Sequence, residues 1–357
     1  WFLFYSSMPR NVDRETKNNE FSTQRAFSHV KNLAEEPHNV GSSAHSLARN
    51  YIVGQLQEMG LEVQTQEGYV LDNSGVLSMA RNILARIPGS GTGKALVLMS
   101  HYDSAGHSSP GASDAASGVA TILEGVRALL AKDVGNANEI IVLITDAEEI
   151  GLMGARLFVQ KHPWAQNTGL ALNFESRGSG GNSYMLLETN SGNANLIREF
   201  KAANPDYPVT NSLAYSIYKM LPNDTDLTVL REEANINGYN FAFIDDHFDY
   251  HTANDTPANL DLETLAHQGS YLMPLLMHFK DADLSQLDND QDHIYFTLPT
   301  GHIISYPFTW TTPLLFVGVL LFIMVLIFGY YKNRSFFKIP FRHSLFPRFL
   351  SLLIDFT

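Results

Sequence analysis

The sequence of 357 residues contains 45% hydrophobic, 11% aromatic and 17% charged residues, which excludes a disordered polymer and a collagen-like fibre. A chain of this length forms one large domain or two ordinary ones and is long enough to bury an active site. Its formal charge of −13 gives no sign of a nucleic-acid partner, and the lack of cysteine restricts any metal ligands to His, Asp and Glu.

The first 21 residues predict the end of a membrane span followed by a linker. Residues 1–5 are aromatic or leucine, whereas residues 8–22 are polar and show no periodic pattern. Apolar residues recur at regular spacing from Ser22 onward, so we expect a folded domain over residues 22–285.

Two helices and a β-hairpin are predicted at the start of this domain. Apolar residues at helical spacing follow Ser22 and recur over residues 47–59, where Gly60 is expected to end the second helix. Short apolar runs then predict three strands, at 61–64, 82–87 and 95–99. The Gly- and Ser-rich segment between the last two predicts that they pair as a hairpin.

Strands and helices alternate in the rest of the domain. Further strands are predicted at 139–145, 169–174, 183–188 and 240–244, and helices at 115–132, 151–161, 193–203 and 261–280. This alternation predicts an α/β fold with a mixed, largely parallel central sheet sandwiched by helices. Residues 140–144 are all apolar, as is typical of a strand covered on both faces.

The C-terminal part of the sequence predicts a linker and a transmembrane helix. Residues 286–310 are expected to be the linker, and residues 311–331 are almost wholly apolar, with aromatic residues near both ends. A buried core helix is the alternative. Basic residues after the span favour a cytoplasmic C-terminal end, which leaves the folded domain outside the cytoplasm. Segment 332–357 is expected to be a cytoplasmic basic segment or the start of a further membrane element.

Polar residues capable of metal chemistry follow the predicted strands where each one ends. In chain order they are His101, Asp103, Asp114, Glu148, Glu149, Glu175 and His251. Any one of them has an ordinary structural explanation, but the carboxyl ends of parallel strands meet at one edge of a sheet. Two imidazoles with several carboxylates suit a pair of divalent cations, and one further carboxylate can accept a proton.

The motifs around these residues resemble those of the M28 family of zinc peptidases over roughly residues 25–280. They are His101-Tyr-Asp103, Asp114-Ala-Ala-Ser-Gly118, Glu148-Glu149-Ile-Gly151, Asn173-Phe-Glu175 and Tyr250-His251-Thr252. Segments Asn173–Gly181 and Leu221–Asp226 resemble the membrane-bound branch, in which the peptidase domain precedes transmembrane segments. The resemblance implies a zinc exopeptidase fold and an aminopeptidase that acts on peptides.

The resemblance also implies two Zn²⁺ ions per chain. His101, Asp114 and Glu175 are expected to hold one or both ions, with Asp114 bridging, while Glu149 and His251 complete the second site. Glu175 stands where most soluble members of the family have Asp, so the geometry of its site is expected to differ. Cobalt or manganese suits the same ligands in vitro.

Four further residues receive roles from the resemblance or from their position. Glu148 is expected to be the general base that takes a proton from a metal-bridged water, and Asp103 to orient His101. Tyr250 matches a tyrosine that donates to the oxyanion in some relatives, with packing as the alternative. Arg177 either binds a substrate carboxylate or pairs with an acid.

Two other functions stay open alongside the membrane-anchored aminopeptidase. Glutaminyl cyclases are acyltransferases that work with one zinc on a similar scaffold and retain the residues matching Asp114, Glu149 and His251. A non-catalytic family member is the other alternative, although it predicts the loss of a ligand or of Glu148. The expected partners are a peptide substrate and the lipid bilayer, with no nucleic acid, and the sequence leaves the oligomeric state open.

Overall fold

The structure is a computed structural model of the chain, and it describes residues 7–10, 12, 15–72, 74–106, 108–220 and 224–332. The chain divides into two compact units, Trp1–Tyr306 and Pro307–Thr357. The span end predicted at residues 1–5, residues 221–223 of the Leu221–Asp226 motif, and all but the first residue of segment 332–357 lie outside the described residues.

A seven-stranded mixed sheet forms the centre of the first unit. Its strands are β1 (Val63–Leu71), β2 (Leu77–Ile87), β3 (Ala95–His101), β4 (Ile140–Thr145), β5 (Thr168–Ser176), β6 (Gly180–Glu188) and β7 (Asn237–Asp245). They lie in the order β1-β2-β4-β3-β5-β7-β6, in which β4, β3, β5 and β7 are parallel and the other pairings antiparallel. The predicted α/β fold with a largely parallel central sheet is confirmed.

Helices cover both faces of this sheet. They are α1 (Thr23–Leu33), α2 (Ser43–Glu58), α3 (Gly118–Leu130), α4 (Met153–Lys161), α5 (Ala194–Ala203), α6 (Ser212–Met220), α7 (Asp226–Ala234) and α8 (Leu262–Phe279). Because side chains alternate along a strand, β3 contributes Leu96 and Leu98 to a core with α1, α2, α3, α5 and α8. Its Val97 and Met99 belong to a second core with α4 and α7.

The hairpin predicted from strands 82–87 and 95–99 is wrong. Strand β4 lies between β2 and β3, and the connecting segment is fixed by Ser90 and Gly91, which donate backbone hydrogen bonds to Asn136 and Ala137 just before β4. Every residue of β3 is buried, so this strand requires a neighbour on each side, and it pairs in parallel with β4 and β5. Turn composition alone did not reveal this long-range pairing.

Strands β8 (His293–Thr297) and β9 (Ile303–Pro307) form a second, two-stranded sheet. The sequence predicts a linker for much of this region, yet the first unit continues to Tyr306. Tyr295 is only 1% exposed and belongs to the core that contains α8. The segment before the apolar helix is therefore part of the folded domain.

The second unit contains helix α9 (Thr311–Lys332), which continues a short 3₁₀ turn from Phe308. Within the described part of the chain, Phe308–Lys332 is the one helix that is long and apolar enough to cross a membrane, by length and composition, and its apolar window is not buried. The predicted apolar C-terminal helix is therefore present.

Replacing Tyr295 tests whether β8 belongs to the folded core. We expect Tyr295→Ala to lower the free energy of unfolding by about 3–5 kcal/mol, because it removes a fully buried aromatic ring. Tyr69→Ala, at a site that is 70% exposed on β1, is the matched control and should change it by less than about 0.5 kcal/mol. Chemical denaturation of the chain in detergent measures both, and equal effects would contradict the assignment of Tyr295 to the core.

Candidate metal centre

The carboxyl ends of the parallel strands deliver most of the predicted site residues to one edge of the sheet. His101 is the last residue of β3, Glu175 lies one residue before the end of β5, and Glu148 and Glu149 follow β4. His251 lies six residues beyond the end of β7, with a backbone in the left-handed region. The structure therefore brings together side chains separated by up to 150 positions in the sequence.

Asp114 reaches the site from an irregular turn, Ala112–Ser117, between β3 and α3. The turn begins after Gly111, which has φ +67° and where a Cβ atom would lie 2.7 Å from Ser104 Cβ, so this position favours glycine. Buried Asp255 holds the turn, because its carboxylate accepts the backbone N–H groups of Ser113 at 2.7 Å and Asp114 at 3.2 Å. The position of Asp114 thus depends on an acid 141 residues further along the chain.

The two carboxylate oxygens of Asp114 face different histidines. Oδ1 lies 3.2 Å from His101 Nε2, and Oδ2 lies 3.0 Å from His251 Nε2. Glu175 Oε2 lies 3.6 Å from His101 Nε2, and Glu149 Oε2 lies 3.0 Å from His251 Nε2. Asp114 therefore joins two groups of possible ligands, each with one imidazole and one further carboxylate.

The ligand atoms of these residues are close enough to share cations. His101, Asp114 and Glu175 form one group within 4.8 Å, and Asp114, Glu149 and His251 form another. A third group contains His101, Glu148 and Glu149. Glu149 Oε1 is buried without a hydrogen-bond partner among the residues that the structure describes. Such an orphaned oxygen in a set of imidazoles and carboxylates fits a divalent metal.

Asp103 fixes the loop that carries Glu148 and Glu149. Its carboxylate accepts the backbone N–H of Glu148 at 3.1 Å and that of Glu149 at 3.2 Å, while Ala147 adopts a left-handed conformation just before them. The contact with His101 differs from the one expected, because Nδ1 lies 2.9 Å from the backbone carbonyl oxygen of Asp103 and 3.7 Å from its carboxylate. Asp103 thus connects one possible metal ligand to the candidate general base.

Burial and crowding of like charges shift the pKa values of the site. Burial raises the pKa of Glu148 well above its usual range, and burial with the charge of Asp114 raises that of Glu149 to about 8. Burial opposes protonation of His251, but the carboxylates of Asp114 and Glu149 outweigh it and raise its pKa to about 10. Burial likewise opposes protonation of His101, and Glu148 and Glu175 raise its pKa. Without a cation, the cluster retains protons.

Tyr250 and Arg177 lie together beside the second ligand group. The Tyr250 ring stacks on that of His251 with centroids 3.7 Å apart, and Arg177 Nη1 donates to Tyr250 Oη at 3.1 Å. Arg177 Nη2 also donates to the backbone carbonyl of Asp224 at 3.4 Å. Because the phenol oxygen accepts from Arg177, its own proton is free to point to another acceptor.

Two buried acids near the site were not predicted to be metal ligands or catalytic residues. Asp255 fixes the Asp114 turn, and Asp226 accepts a hydrogen bond from Thr145 at the end of β4. The other oxygen of Asp226 has no hydrogen-bond partner among the described residues, and burial raises the pKa of this carboxyl to about 7. Asp226 ends the Leu221–Asp226 segment and Asp255 lies four residues after His251. These positions were the available signals, but nothing in the surrounding residues indicated burial.

Comparisons with known proteins agree on a family. The sequence model of Peptidase family M28 matches residues 82–276. A vacuolar membrane protease of Candida albicans (strain WO-1) is 30% identical over 283 residues, which cover 78% of this chain and 32% of that protein. Endoplasmic reticulum metallopeptidase 1 of Mus musculus is 28% identical over 232 residues, covering 63% of this chain and 26% of that protein. The chain thus spans about a third or less of the length of these relatives.

Solved structures show the same fold. A Zn-dependent exopeptidase from Parabacteroides distasonis has a TM-score of 0.59 and 22% identity, and covers 74% of this chain and 99% of its own. A glutaminyl cyclase from Porphyromonas gingivalis has a TM-score of 0.59 and 21% identity, and covers 72% of this chain and 98% of its own. At these identities the likeness establishes the fold alone.

Zinc binding to the metal-free protein should release protons. At pH 7 the imidazole of His251, with its pKa of about 10, is protonated, whereas zinc binds only the neutral ring. We therefore expect more than one proton to be released per chain and zinc affinity to increase from pH 6 to pH 8. Calorimetric titrations in buffers of different ionisation enthalpy measure this release.

The control for proton release is His278→Ala, which removes a histidine paired with Glu199 away from the centre. It should leave the proton release unchanged. Zinc binding without proton release, or with the same affinity at both pH values, would contradict the proposed ligand set.

Proposed function

The chain belongs to peptidase family M28, and on that basis we propose that it is a membrane-anchored di-zinc aminopeptidase. It removes N-terminal residues from peptides on the extracytoplasmic side of the membrane. The observation that carries this proposal is the carboxylate of Asp114, whose two oxygens each face a separate histidine and acid. A single shared carboxylate between two ligand groups is the arrangement that a pair of cations requires.

We assign the ligands according to these two groups. His101 and Glu175 would hold one zinc, Glu149 and His251 would hold the other, and Asp114 would serve both. When bound, zinc supplies a Lewis acid that polarises the peptide carbonyl and lowers the pKa of water. The four positive charges of two Zn²⁺ ions would exceed the three negative charges of Asp114, Glu149 and Glu175, and would thereby offset the burial and the charge of Asp114 that raise the pKa of Glu149.

Glu148 is the proposed general base. It belongs to the third ligand group with His101 and Glu149, so its carboxylate lies close to one residue of each proposed zinc site and would remain free of both ions. It takes a proton from the attacking water and passes it to the leaving amine. Asp103 holds the backbone on which Glu148 is mounted and so acts as a positioning residue.

Tyr250 is the proposed donor to the oxyanion that forms as the scissile carbonyl is attacked. Its stacking on His251 places the phenol next to a proposed zinc ligand, and the hydrogen bond from Arg177 leaves its proton available. Arg177 keeps a fixed positive charge beside the site. We propose that this charge holds Tyr250 and attracts a carbonyl or carboxylate of the peptide.

Membrane attachment is proposed to occur through α9. The helix has the length and composition of a span, and the two relatives named above are described as membrane or endoplasmic reticulum proteins. The basic residues from Lys332 onward favour a cytoplasmic C-terminal side, which leaves the catalytic domain in the periplasm or in the lumen of an organelle.

A glutaminyl-cyclase-like acyltransferase is the second candidate, because a glutaminyl cyclase is among the solved structures with the same fold. That function uses one zinc. The presence of His101 and Glu175 as a complete additional ligand group with Asp114 favours the two-zinc hydrolase.

The first test is the metal content of the purified chain, measured together with its action on a panel of aminoacyl amides. We expect two zinc ions per chain and release of N-terminal residues that stops when a chelator is added. One zinc with cyclisation of N-terminal glutamine would instead establish the acyltransferase. Absence of bound zinc would contradict both candidates.

Substitutions at Glu148 and His251 separate proton transfer from metal binding. Glu148→Gln should keep both zinc ions and the fold but lower turnover by about 10²–10⁴-fold, because the amide cannot accept the proton. His251→Ala should lose zinc as well as activity. Metal analysis and steady-state kinetics on each variant measure the two effects, and near-normal turnover of Glu148→Gln would refute the mechanism.

Tyr250→Phe tests the oxyanion donor. We expect kcat to fall by about 10²–10³-fold with little change in KM, because the hydroxyl acts only as charge develops on the carbonyl oxygen. Tyr69→Phe, on the exposed part of β1, is the matched control and should behave like the unsubstituted chain. Equal activity of the two variants would leave Tyr250 with a packing role.

A further inference from the structure

A cavity of about 510 Å³ lies beside helix α5, and its lining residues are outside the candidate metal centre. Leu196 and Phe200 on one side of α5 are buried in the core, whereas the opposite side of the helix lines the cavity. Polar side chains of the lining include Asn195, Arg198, Lys201, Gln291, His293 and Ser305. Among the described residues that form this lining, none is Asp or Glu. The cavity therefore offers hydrogen-bond donors and positive charge without a carboxylate.

The basic lining contrasts with the whole chain, which has 37 acidic and 24 basic residues. Two acids of the adjoining segment face other groups. Asp292 Oδ1 accepts the backbone N–H of Asn193 at 3.3 Å. Asp288 Oδ1 accepts hydrogen bonds from Asn237 at 2.9 Å and from Ser191 at 3.2 Å. A cavity that gathers two cations in an acidic chain favours an anionic ligand.

The guanidinium group of Arg198 is held in a fixed position at this cavity. Its Nη1 donates to Asn195 Oδ1 at 2.8 Å, and its Nε and Nη2 lie 3.1 Å and 3.0 Å from Glu199 Oε1. The other oxygen of Glu199 lies 2.9 Å from His278 Nε2, so Arg198 is not its single partner. Because a guanidinium has five N–H donors, these contacts fix its plane and leave donors for an anion.

Lys201 lies three positions further along α5, where it is exposed and has no carboxylate partner among the described residues. Its Nζ donates to Ser305 Oγ of β9 at 3.1 Å, which leaves the hydroxyl proton of Ser305 to donate to a ligand. Lys201 also lines an adjoining cavity of about 300 Å³, together with Asp206 and His302. Its ammonium group is thus close to both spaces.

The small sheet that carries Ser305 is fixed to the rest of the first unit. Asn211, just before α6, forms a β-bridge with Phe296 of β8. Tyr295 of β8 donates its backbone N–H to Ser212 Oγ at 2.8 Å, and its side chain is buried in the core. The fold therefore sets Ser305 against α5, so the cavity is formed before any ligand binds.

The position of the cavity in the chain favours a ligand at the membrane surface. Ser305 precedes Phe308, where the apolar helix begins, by three residues. An extended chain covers at most about 3.6 Å per residue, so Ser305 lies within about 11 Å of the start of that helix. The headgroup layer on each side of a bilayer is roughly 5–8 Å thick. With α9 as the proposed span, the cavity is within reach of lipid headgroups on the side of the catalytic domain.

We propose that the cavity beside α5 binds the phosphate group of an anionic phospholipid on the extracytoplasmic surface of the membrane. Arg198 and Lys201 offset the charge of the phosphate, while Gln291 and Ser305 offer hydrogen bonds to it or to a headgroup hydroxyl. The proposal rests on the proposed membrane attachment through α9 and is independent of hydrolysis. A lipid bound here joins the first unit to the membrane surface at a point other than α9.

Native mass spectrometry of the full chain released from detergent measures this binding. The chain is titrated with phosphatidylglycerol and, in parallel, with phosphatidylcholine of the same acyl chains. The first phosphatidylglycerol should bind at least about 5-fold more tightly than phosphatidylcholine, and more weakly as salt is raised. Equal affinities would overturn the proposal. Displacement of the bound lipid by an equal concentration of inorganic phosphate would indicate a site for free anions and would reject the lipid.

Substitutions on α5 test whether this cavity is the site. Lys201→Gln should weaken phosphatidylglycerol binding by about 5-fold, and Arg198→Gln combined with it by about 25-fold, with phosphatidylcholine unaffected. Lys161→Gln is the matched control, because Lys161 is an exposed lysine in the last turn of α4 as Lys201 is in that of α5. An equal loss in Lys161→Gln would show a general effect of charge and would contradict the site.

Hydrolysis of aminoacyl amides by the same samples separates this site from the proposed function. Lys201→Gln should leave kcat/KM unchanged, because Lys201 is not part of the metal centre. Selective binding of phosphatidylglycerol without any hydrolysis would support the lipid site and reject the aminopeptidase. Hydrolysis with equal binding of the two lipids would reject the lipid site alone. A chain that stays in solution without detergent would reject the membrane attachment and, with it, the lipid as the ligand.

Discussion

Asp114 is the residue on which the arrangement of the site depends, because one carboxylate faces two histidines through its two oxygens. Its neighbours Glu148, Glu149 and Glu175 lie at the ends of strands that are buried in the sheet and cannot move apart. Four acids gathered by a rigid scaffold repel one another, and protons or cations must offset this repulsion. The sheet therefore creates an affinity for positive charge before any metal binds.

Two buried acids that are not proposed ligands maintain this arrangement. Asp103 and Asp255 each accept a pair of consecutive backbone N–H groups, on the Glu148 loop and on the Asp114 turn. Hydrogen bonds of this kind stabilise a carboxylate in a buried position and fix the peptide groups that donate them. The geometry of the site thus depends largely on side chains that accept hydrogen bonds from the backbone and do not touch the reacting atoms.

Strands that are buried could be predicted from the sequence. Features that depend on contacts between distant segments of the chain could not. Strands β3, β4 and β5 are buried on both faces and so appear as continuous apolar runs, and the polar residues at or just beyond their carboxyl ends lie close together in the structure. Strand β1 is an exposed edge strand with polar residues along much of its length, and only its start was predicted. The position of β4 between β2 and β3, and the contact of Arg177 with Tyr250, depend on long-range pairing that no local pattern encodes.

The bridge between α6 and β8 has a consequence for how this domain can evolve. Asn211, just before α6, forms a β-bridge with Phe296 of β8, so the packing of α6 depends on a strand close to the end of the first unit, Trp1–Tyr306. An exchange of the apolar helix between proteins of this kind preserves this packing only if the crossover falls after Tyr306. Recombination upstream of β8 would replace the strand that pairs with Asn211, and would change the packing of α6 together with the apolar helix.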